Sequence, residues 1–240
     1  MINLIKGDCL EQMKLIPDGS IDAIITDPPY GTTQCKWDSV IDFGLMWEQL
    51  NRIIKPNGAI VLFGSEPFSS ALRMSNIKNY KYDWIWEKTT KTNHLNAKKQ
   101  PLRRSELISV FYKKQPTYNP QGLVETEVSN FRPNHFKYKK GEKVYGEQRE
   151  HSNKSNYTNY PDNILIFANP NSKSVHPTQK PVALMEYLIK TYTNENETIL
   201  DFTMGSGSTG VAAKNLNRNF IGIELDEKYF NIAKERINEA

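Results

Sequence analysis

The chain has 240 residues, 38% of them hydrophobic, with 31 Lys and Arg against 27 Asp and Glu. That length suits one substantial core with an inserted lobe, and the absence of a long apolar run or a signal-like N-terminus leads us to expect a cytoplasmic protein without membrane spans. Cys9 and Cys35 have no paired spacing and no neighbouring His cluster, so neither a disulfide framework nor a metal site is expected.

In chain order, Asn3 to Lys6 reads as a short strand ending at Gly7-Asp8, and Cys9 to Leu15 as a helix with Asp8 placed as its N-cap. Ile21 to Thr26 is an apolar strand that runs directly into Asp27-Pro28-Pro29-Tyr30. Two prolines fix φ, supply no backbone N–H and push the preceding residue into an extended conformation, so the strand ends there. A carboxylate, a fixed carbonyl and an aromatic ring then share a strand's C-terminal end, where ligands bind in open α/β sheets. The pair of acceptors beside a stacking face suits a planar heterocycle with an exocyclic amino group, which adenine and cytosine have and thymine lacks. Alone, the tetrapeptide also reads as a proline-stiffened turn.

Phe43 to Ile54 has helical periodicity, with Phe43, Met46, Trp47, Leu50, Ile53 and Ile54 on one face, and Lys55-Pro56-Asn57-Gly58 stops it. Ala59 to Phe63, Tyr82 to Trp86 and Leu107 to Tyr112 read as strands of one sheet, and Glu66 to Ser75 as a helix. Charge is unevenly placed beyond this point. Lys88 to Lys154 holds 15 Lys and Arg against 6 Glu and no Asp, a local +9 in a chain of +4. Lys98, Lys99, Arg103, Arg104, Arg132, Lys137, Lys139 and Lys140 are the candidate phosphate contacts. Phe131, Phe136, Tyr138, Tyr145, Tyr157 and Tyr160 lie in and beyond the second group, and such rings can stack on bases. The alternative is a solvated, loop-rich surface.

Ile164 to Phe167 reads as a further strand, and Pro181 to Tyr192 as a helix that follows His176-Pro177-Thr178-Gln179-Lys180-Pro181. Thr198 to Phe202 is a buried strand, succeeded by Gly205-Ser206-Gly207-Ser208-Thr209-Gly210 and a helix over Val211 to Leu216. Phe220 to Glu224 is the next strand and ends in a carboxylate suited to the two hydroxyls of a ribose. Read alone, Gly205, Gly207 and Gly210 also spell a dinucleotide fingerprint. Only the helix Asp226 to Ala240 follows, too little for the remaining βαβ units of a dinucleotide domain. Joining the chain's end to its beginning supplies the missing strand. The expected fold is therefore a circularly permuted, Rossmann-like α/β sheet with helices on both faces and an inserted basic region.

The order of three motifs, Asp27-Pro28-Pro29-Tyr30 first, His176 to Pro181 later and the Asp201 to Thr209 loop last, resembles the beta-group amino-methyltransferases of DNA. The resemblance covers nearly the whole chain. It implies residues 1–89 as a catalytic half, 90–163 as a target-recognition region containing one sheet strand, and 164–240 as the half that binds S-adenosylmethionine. It further implies Asp27, Pro28, Pro29 and Tyr30 as the catalytic residues, and adenine N6 as the target, because cytosine N4 relatives more often carry Ser at the first position. For the cofactor it implies Asp8 at the adenine amino group and Glu224 at the ribose. Asp201, Met204, Gly205, Ser206 and Gly207 would line the methionine and ribose, with His176, Thr178 and Lys180 closing the other side.

The family commonly shows D-P-F-x-G-S-G, whereas this chain has Asp201-Phe202-Thr203-Met204-Gly205, with Thr203 at the usual Phe. DNA is the implied partner, in a bacterial cell or a phage-infected host; a homodimer and a separate cognate restriction endonuclease stay open. A cytosine N4 enzyme, an RNA or protein amino-methyltransferase, a nucleotide-dependent oxidoreductase and a non-catalytic DNA-binding module are the other readings. A C5-cytosine enzyme is set aside because neither cysteine stands in a Pro-Cys setting.

Overall fold

A computed structural model describes residues 1–32, 38–126, 156–170 and 179–240. The elements begin with β1 (Ile2–Lys6), α1 (Cys9–Met13), β2 (Ile21–Thr26), α2 (Phe43–Ile53), β3 (Ile54–Gly64), α3 (Phe68–Ser75), β4 (Tyr80–Thr92) and β5 (Arg103–Phe111). After the short β6 (Val124–Glu125) and β7 (Tyr157–Thr158) come β8 (Ile164–Phe167), α4 (Val182–Tyr192), β9 (Thr198–Asp201), α5 (Ser208–Asn215), β10 (Asn219–Glu224) and α6 (Glu227–Glu239). The chain divides into two compact units. One joins Met1–Asn119 to Asp162–Ala240; the other is Pro120–Pro161, in which β6 and β7 pair antiparallel.

In the first unit eight strands form one sheet in the order β1-β10-β9-β2-β3-β5-β4-β8. Only β5 runs against the others. The N-terminal β1 pairs in parallel with the C-terminal β10 from Ile2 and Phe220 through Lys6 and Glu224, which is the permuted closure read from the sequence. Because the parallel strands are covered on both sides, they carry near-continuous apolar runs. Of β2, only Asp22 escapes burial.

One face packs α4, α5 and α6 through Leu184, Leu188, Ala212, Ala213, Ala233 and Ile237. The other packs α1, α2 and α3 through Met13, Met46, Trp47, Leu50, Phe68 and Leu72. The helix α2 stops where Ile54 turns extended and passes straight into β3, so Lys55 to Gly58 belong to the strand and not to a loop. Cys9 is a free, buried thiol, and Cys35 lies outside the described residues. Among the described residues no helix is long and apolar enough to cross a membrane.

Two polar centres lie within this core. At the first, Tyr192 of α4 is 1% exposed; its hydroxyl accepts from Trp84 Nε1 at 2.6 Å and meets Tyr82 Oη at 2.8 Å, tying the helix to β4. At the second, Thr26 Oγ1 donates to Asp201 Oδ1 and accepts from Phe202 N at 3.0 Å, while Thr209 Oγ1 donates to Asp201 Oδ2 at 2.5 Å. Burial pushes the Asp201 carboxyl up to about 6, and the two hydroxyls only partly oppose it.

Tyr192→Phe strands the buried Trp84 N–H and is expected to lower stability by about 1–3 kcal/mol. The readout is a lower denaturant midpoint at unchanged m-value; an unchanged midpoint would mean the hydroxyl holds nothing. For Asp201 the folded pKa lies above the unfolded one, so the folded state binds the proton more tightly. That contribution is fully present below about pH 4 and is lost as pH rises through about 6. Relative to Asp201→Asn, the native chain is therefore expected to gain about 1 kcal/mol of stability between pH 7 and pH 5. Denaturant midpoints of both proteins at the two pH values check this, because other carboxylates titrate alike in both. Parallel pH dependence would contradict the raised value.

Candidate active site

The strand ends on one edge of the sheet each deliver a carboxylate. Asp8 follows β1, Glu224 ends β10, Asp201 ends β9 and Asp27 follows β2, and these strands are neighbours in that order. All four line one open cleft of about 550 Å³, which also takes in Pro28, Pro29, Tyr30, Lys180, Met204, Gly205 and Ser206. Of the residues nominated from sequence for catalysis or cofactor binding, Gly207 is described but does not line this cleft. His176 and Thr178 lie outside the described residues.

On the β1 and β10 side, Asp8 Oδ1 accepts from the backbone N–H groups of Leu10 and Glu11 at 2.9 and 3.1 Å, so Asp8 is the N-cap of α1 as well as a wall of the cleft. Glu224 accepts from Gly205 N at 2.9 Å and Asp226 N at 2.8 Å, one on each oxygen. Burial pushes its carboxyl up, while those backbone donors oppose the shift. Each carboxylate oxygen has a second lone pair left for a ligand.

The glycine turn owes its form to packing. Gly207 sits at φ 79°, and a Cβ there would stand 2.9 Å from Ala233 Cβ; at Gly210 it would stand 2.4 Å from Ile237 Cδ1. These two glycines therefore leave room for α6 to pack against the loop. Behind the turn, Arg236 Nη1 donates to the carbonyl and hydroxyl oxygens of Ser206. Ser208 Oγ is buried in the cleft wall and makes no hydrogen bond among the described residues.

On the β2 side, Tyr30 Oη donates to Asp27 Oδ1 and Lys180 Nζ to Asp27 Oδ2. Burial pushes the Asp27 carboxyl up, and Lys180 pulls against that. The Tyr30 hydroxyl is pushed well up by burial and by the Asp27 charge, which keeps it a donor. Its ring packs 5.0 Å from that of Phe68. Lys180, 7% exposed, also stands 3.4 Å from Glu106 Oε2, and Lys88 Nζ donates to Glu106 Oε1. Burial works against the Lys180 charge, but Asp27 and Glu106 outweigh it and hold the ammonium protonated.

Four cleft residues were missed in the sequence. Thr203, read there as a departure from the family pattern, donates its hydroxyl to the Asp27 carbonyl at 3.1 Å, while Phe202 is buried in the core at 1% exposure. Thus the departure ties the glycine-loop strand end to the tetrapeptide. Glu106 carried a signal: it is the only acidic residue from Lys88 to Lys114, and it directly precedes an apolar strand. Ser208 stands within the glycine motif but was not nominated there, and Lys88 carried no signal that separates it from surface residues.

Among the basic candidates, Lys98, Lys99, Arg103 and Arg104 are exposed on and beside the connection from β4 to β5. Arg104 pairs with Glu87 at 2.8 Å, and Arg103 Nη1 reaches Ser65 Oγ at 3.4 Å. Arg132, Lys137, Lys139 and Lys140, with Phe131, Phe136, Tyr138 and Tyr145, lie outside the described residues. Tyr157 and Tyr160 are exposed within Pro120–Pro161.

A DNA methylase family model named for N6 and N4 enzymes matches residues 21–235. Over 98% of its length the chain is 28% identical to the Type II methyltransferase M.HinfI of Haemophilus influenzae, covering 68% of that protein. It is 30% identical to the Type II methyltransferase M.HpaI of Haemophilus parainfluenzae, with 98% of this chain and 74% of that protein covered. The solved complex of M1.HpyAVI with SAM is 31% identical and covers 99% of this chain and 100% of its own, at a TM-score of 0.67. The cytosine-N4-specific PvuII DNA methyltransferase, 17% identical with 98% of this chain and 86% of its own covered, shares the fold at a TM-score of 0.70. The family match spans both Asp27 and the glycine turn that the sheet brings to one cleft, and the chain belongs to the N6/N4 DNA methylases.

Proposed function

We propose that this chain transfers a methyl group from S-adenosylmethionine to the exocyclic N6 of an adenine flipped out of DNA. The observation that carries the reading is the Asp27 carboxylate, held at a strand end beside Tyr30 and opening into the same cleft as the Gly205 turn and Glu224. The residues suit the donor. Asp8 Oδ2 is the oxygen left by the helix cap for an adenine amino group, the remaining Glu224 lone pairs suit the ribose hydroxyls, and the orphaned Ser208 hydroxyl is a buried polar group in want of a partner. Asp201, whose oxygens are engaged by Thr26 and Thr209, serves by fixing the turn.

When bound, S-adenosylmethionine supplies an electrophilic sulfonium methyl. The chain's own task is positioning, because an aryl amine delocalises its lone pair into the ring. Asp27 and the Pro28 carbonyl take the two N–H bonds, turn the lone pair outward and stabilise the positive charge that develops on nitrogen. Tyr30 offers its ring as a wall for the base. Flipping costs a few kcal/mol of unstacking, met by contacts to the flanking DNA. The proton leaves to water after the transfer. Lys98, Lys99, Arg103 and Arg104 supply phosphate contacts from the first unit, with Arg132, Lys137, Lys139 and Lys140 as the second group.

Asp27→Ala is expected to abolish methyl transfer while S-adenosylmethionine affinity stays within roughly tenfold, because the carboxylate acts chiefly in the transition state. Full activity in that variant would overturn the role. Single-molecule sequencing of DNA from cells expressing the chain gives base, position and motif at once; 4-methylcytosine in place of 6-methyladenine would move the target to cytosine N4.

Neutralising Lys98, Lys99, Arg103 and Arg104 together is expected to flatten the slope of log affinity against log salt, by about 0.9 for each phosphate that is no longer neutralised. Cofactor binding is expected to survive. Arg104 already pairs with Glu87, so its single variant should change the slope least. Identical slopes for native and quadruple variant would place DNA contact elsewhere.

A further inference from the structure

Lys180 occupies the carboxylate that the target amine requires. Its ammonium donates to Asp27 Oδ2 while Tyr30 fills Oδ1, and at 7% exposure it needs another buried acceptor if it is to leave. Glu106 provides one. Its Oε2 lies 3.4 Å from the same ammonium and accepts no hydrogen bond among the described residues, while Oε1 is held by Lys88. That oxygen is ion-paired with Lys180 but short of a formed hydrogen bond, an uncommon state for a buried carboxylate oxygen.

We propose that Glu106 is the acceptor to which Lys180 moves when the target amino group engages Asp27, making Glu106 a positioning residue for amino methylation. The inference rests on the reading of Asp27 as the residue that receives the amine. Lys180 keeps its proton and changes only its partner. While Lys180 is on Asp27, a cation stands beside the nitrogen that must become positive, and one Asp27 oxygen is filled. Once it is on Glu106, that oxygen is open and the Asp27 charge faces the amine. The difference is felt most in the transition state.

The four groups reach this point from separate segments: Asp27 from the end of β2, Lys88 from β4, Glu106 from β5 and Lys180 ahead of α4. Burial alone would raise the Glu106 carboxyl; Lys180 and Lys88 outweigh it and keep the group ionised. Tyr30 and Asp201 are the other titratable groups facing Asp27, and Asp38 acts on Tyr30.

The test is steady-state kinetics on a duplex carrying the methylation site found by sequencing, with Glu106→Gln, Glu106→Asp, Lys180→Gln and the double variant Glu106→Gln with Lys180→Gln. For Glu106→Gln, kcat is expected to fall about 10- to 100-fold, the effect of a few Å of charge displacement in a site of intermediate dielectric. S-adenosylmethionine affinity by calorimetry should stay within about threefold, since the effect is confined to the transition state. With one carboxylate removed, Lys180 gives up its proton at lower pH, so the variant's rate should climb toward native as pH rises. In Glu106→Asp, which keeps the charge in the cluster, kcat should fall between the two. On the Lys180→Gln background the Glu106→Gln change should cost less than about twofold, because no cation remains to be received. Multiplying losses in the double variant, native kcat in Glu106→Gln, or a pH profile parallel to native would overturn the proposal. Activity retained in Asp27→Ala would instead overturn the reading of Asp27 on which it stands.

Discussion

The joint between β2 and β9 is the contact on which the rest of the molecule depends. Its backbone register is short, pairing only Ala23 with Ile199 and Ile24 with Leu200. Side chains extend it. Thr26 donates to Asp201 and accepts from Phe202 N, and Thr203 donates to the Asp27 carbonyl, so five more residues are pinned beyond the ladder. These contacts join segments about 175 residues apart in sequence, a span whose closure entropy must be offset by specific pairing. Without them Asp27 and the Gly205 turn would belong to separate strand ends; with them, one cleft holds both.

That arrangement concentrates carboxylates at one edge, and each is stabilised by different means. Asp8 takes two helix N–H groups, Glu224 takes two loop N–H groups, Asp201 takes two threonine hydroxyls and the Thr203 N–H, and Asp27 takes an ammonium and a phenol. The first two gain from backbone donors at or near helix starts. Asp201 has neutral partners and is the one whose carboxyl rises to about 6. Asp27 alone is paired with a full charge, and in the proposed reaction it is also the carboxylate that must be exposed to a new donor. A buried ion pair is costly to break unless each charge finds another partner, which gives Glu106 its place in the cleft.

Most of this architecture was legible. The apolar run from Ile21 to Thr26, the proline stop after Asp27 and the glycine turn after Asp201 announced the strand ends, and the lack of βαβ units after Glu224 implied the pairing of β1 with β10. Boundaries moved where tertiary contact overrode local signals. Lys55 to Gly58 read as a helix stop ahead of a strand at Ala59, yet β3 starts at Ile54, because the strand continues along β2 past a register shift. The role of Gly207 and Gly210 was not legible, since the Cβ positions of Ala233 and Ile237 can only be known once α6 is docked. Glu106 was passed over, and the role of Thr203 within its motif was not legible, for a related reason: their partners come from distant segments.

The β4–β5 ladder links the basic surface to the chemistry. Trp86 pairs with Glu106 and Glu87 with Ser105, after which the register shifts before Thr92 meets Arg103. Such an irregularity re-aims side chains next to a site, and Lys88 falls within it, folded back onto Glu106. The outer end of the same two strands carries Arg103 and Arg104, with Lys98 and Lys99 in the connection. The two ends of the ladder lie on the same pair of strands, on either side of that irregularity. A segment whose exposed end carries four cations thus has at its buried end the carboxylate that faces Lys180, and Lys180 in turn occupies one oxygen of Asp27, which under the proposed reaction is the oxygen the incoming amine needs.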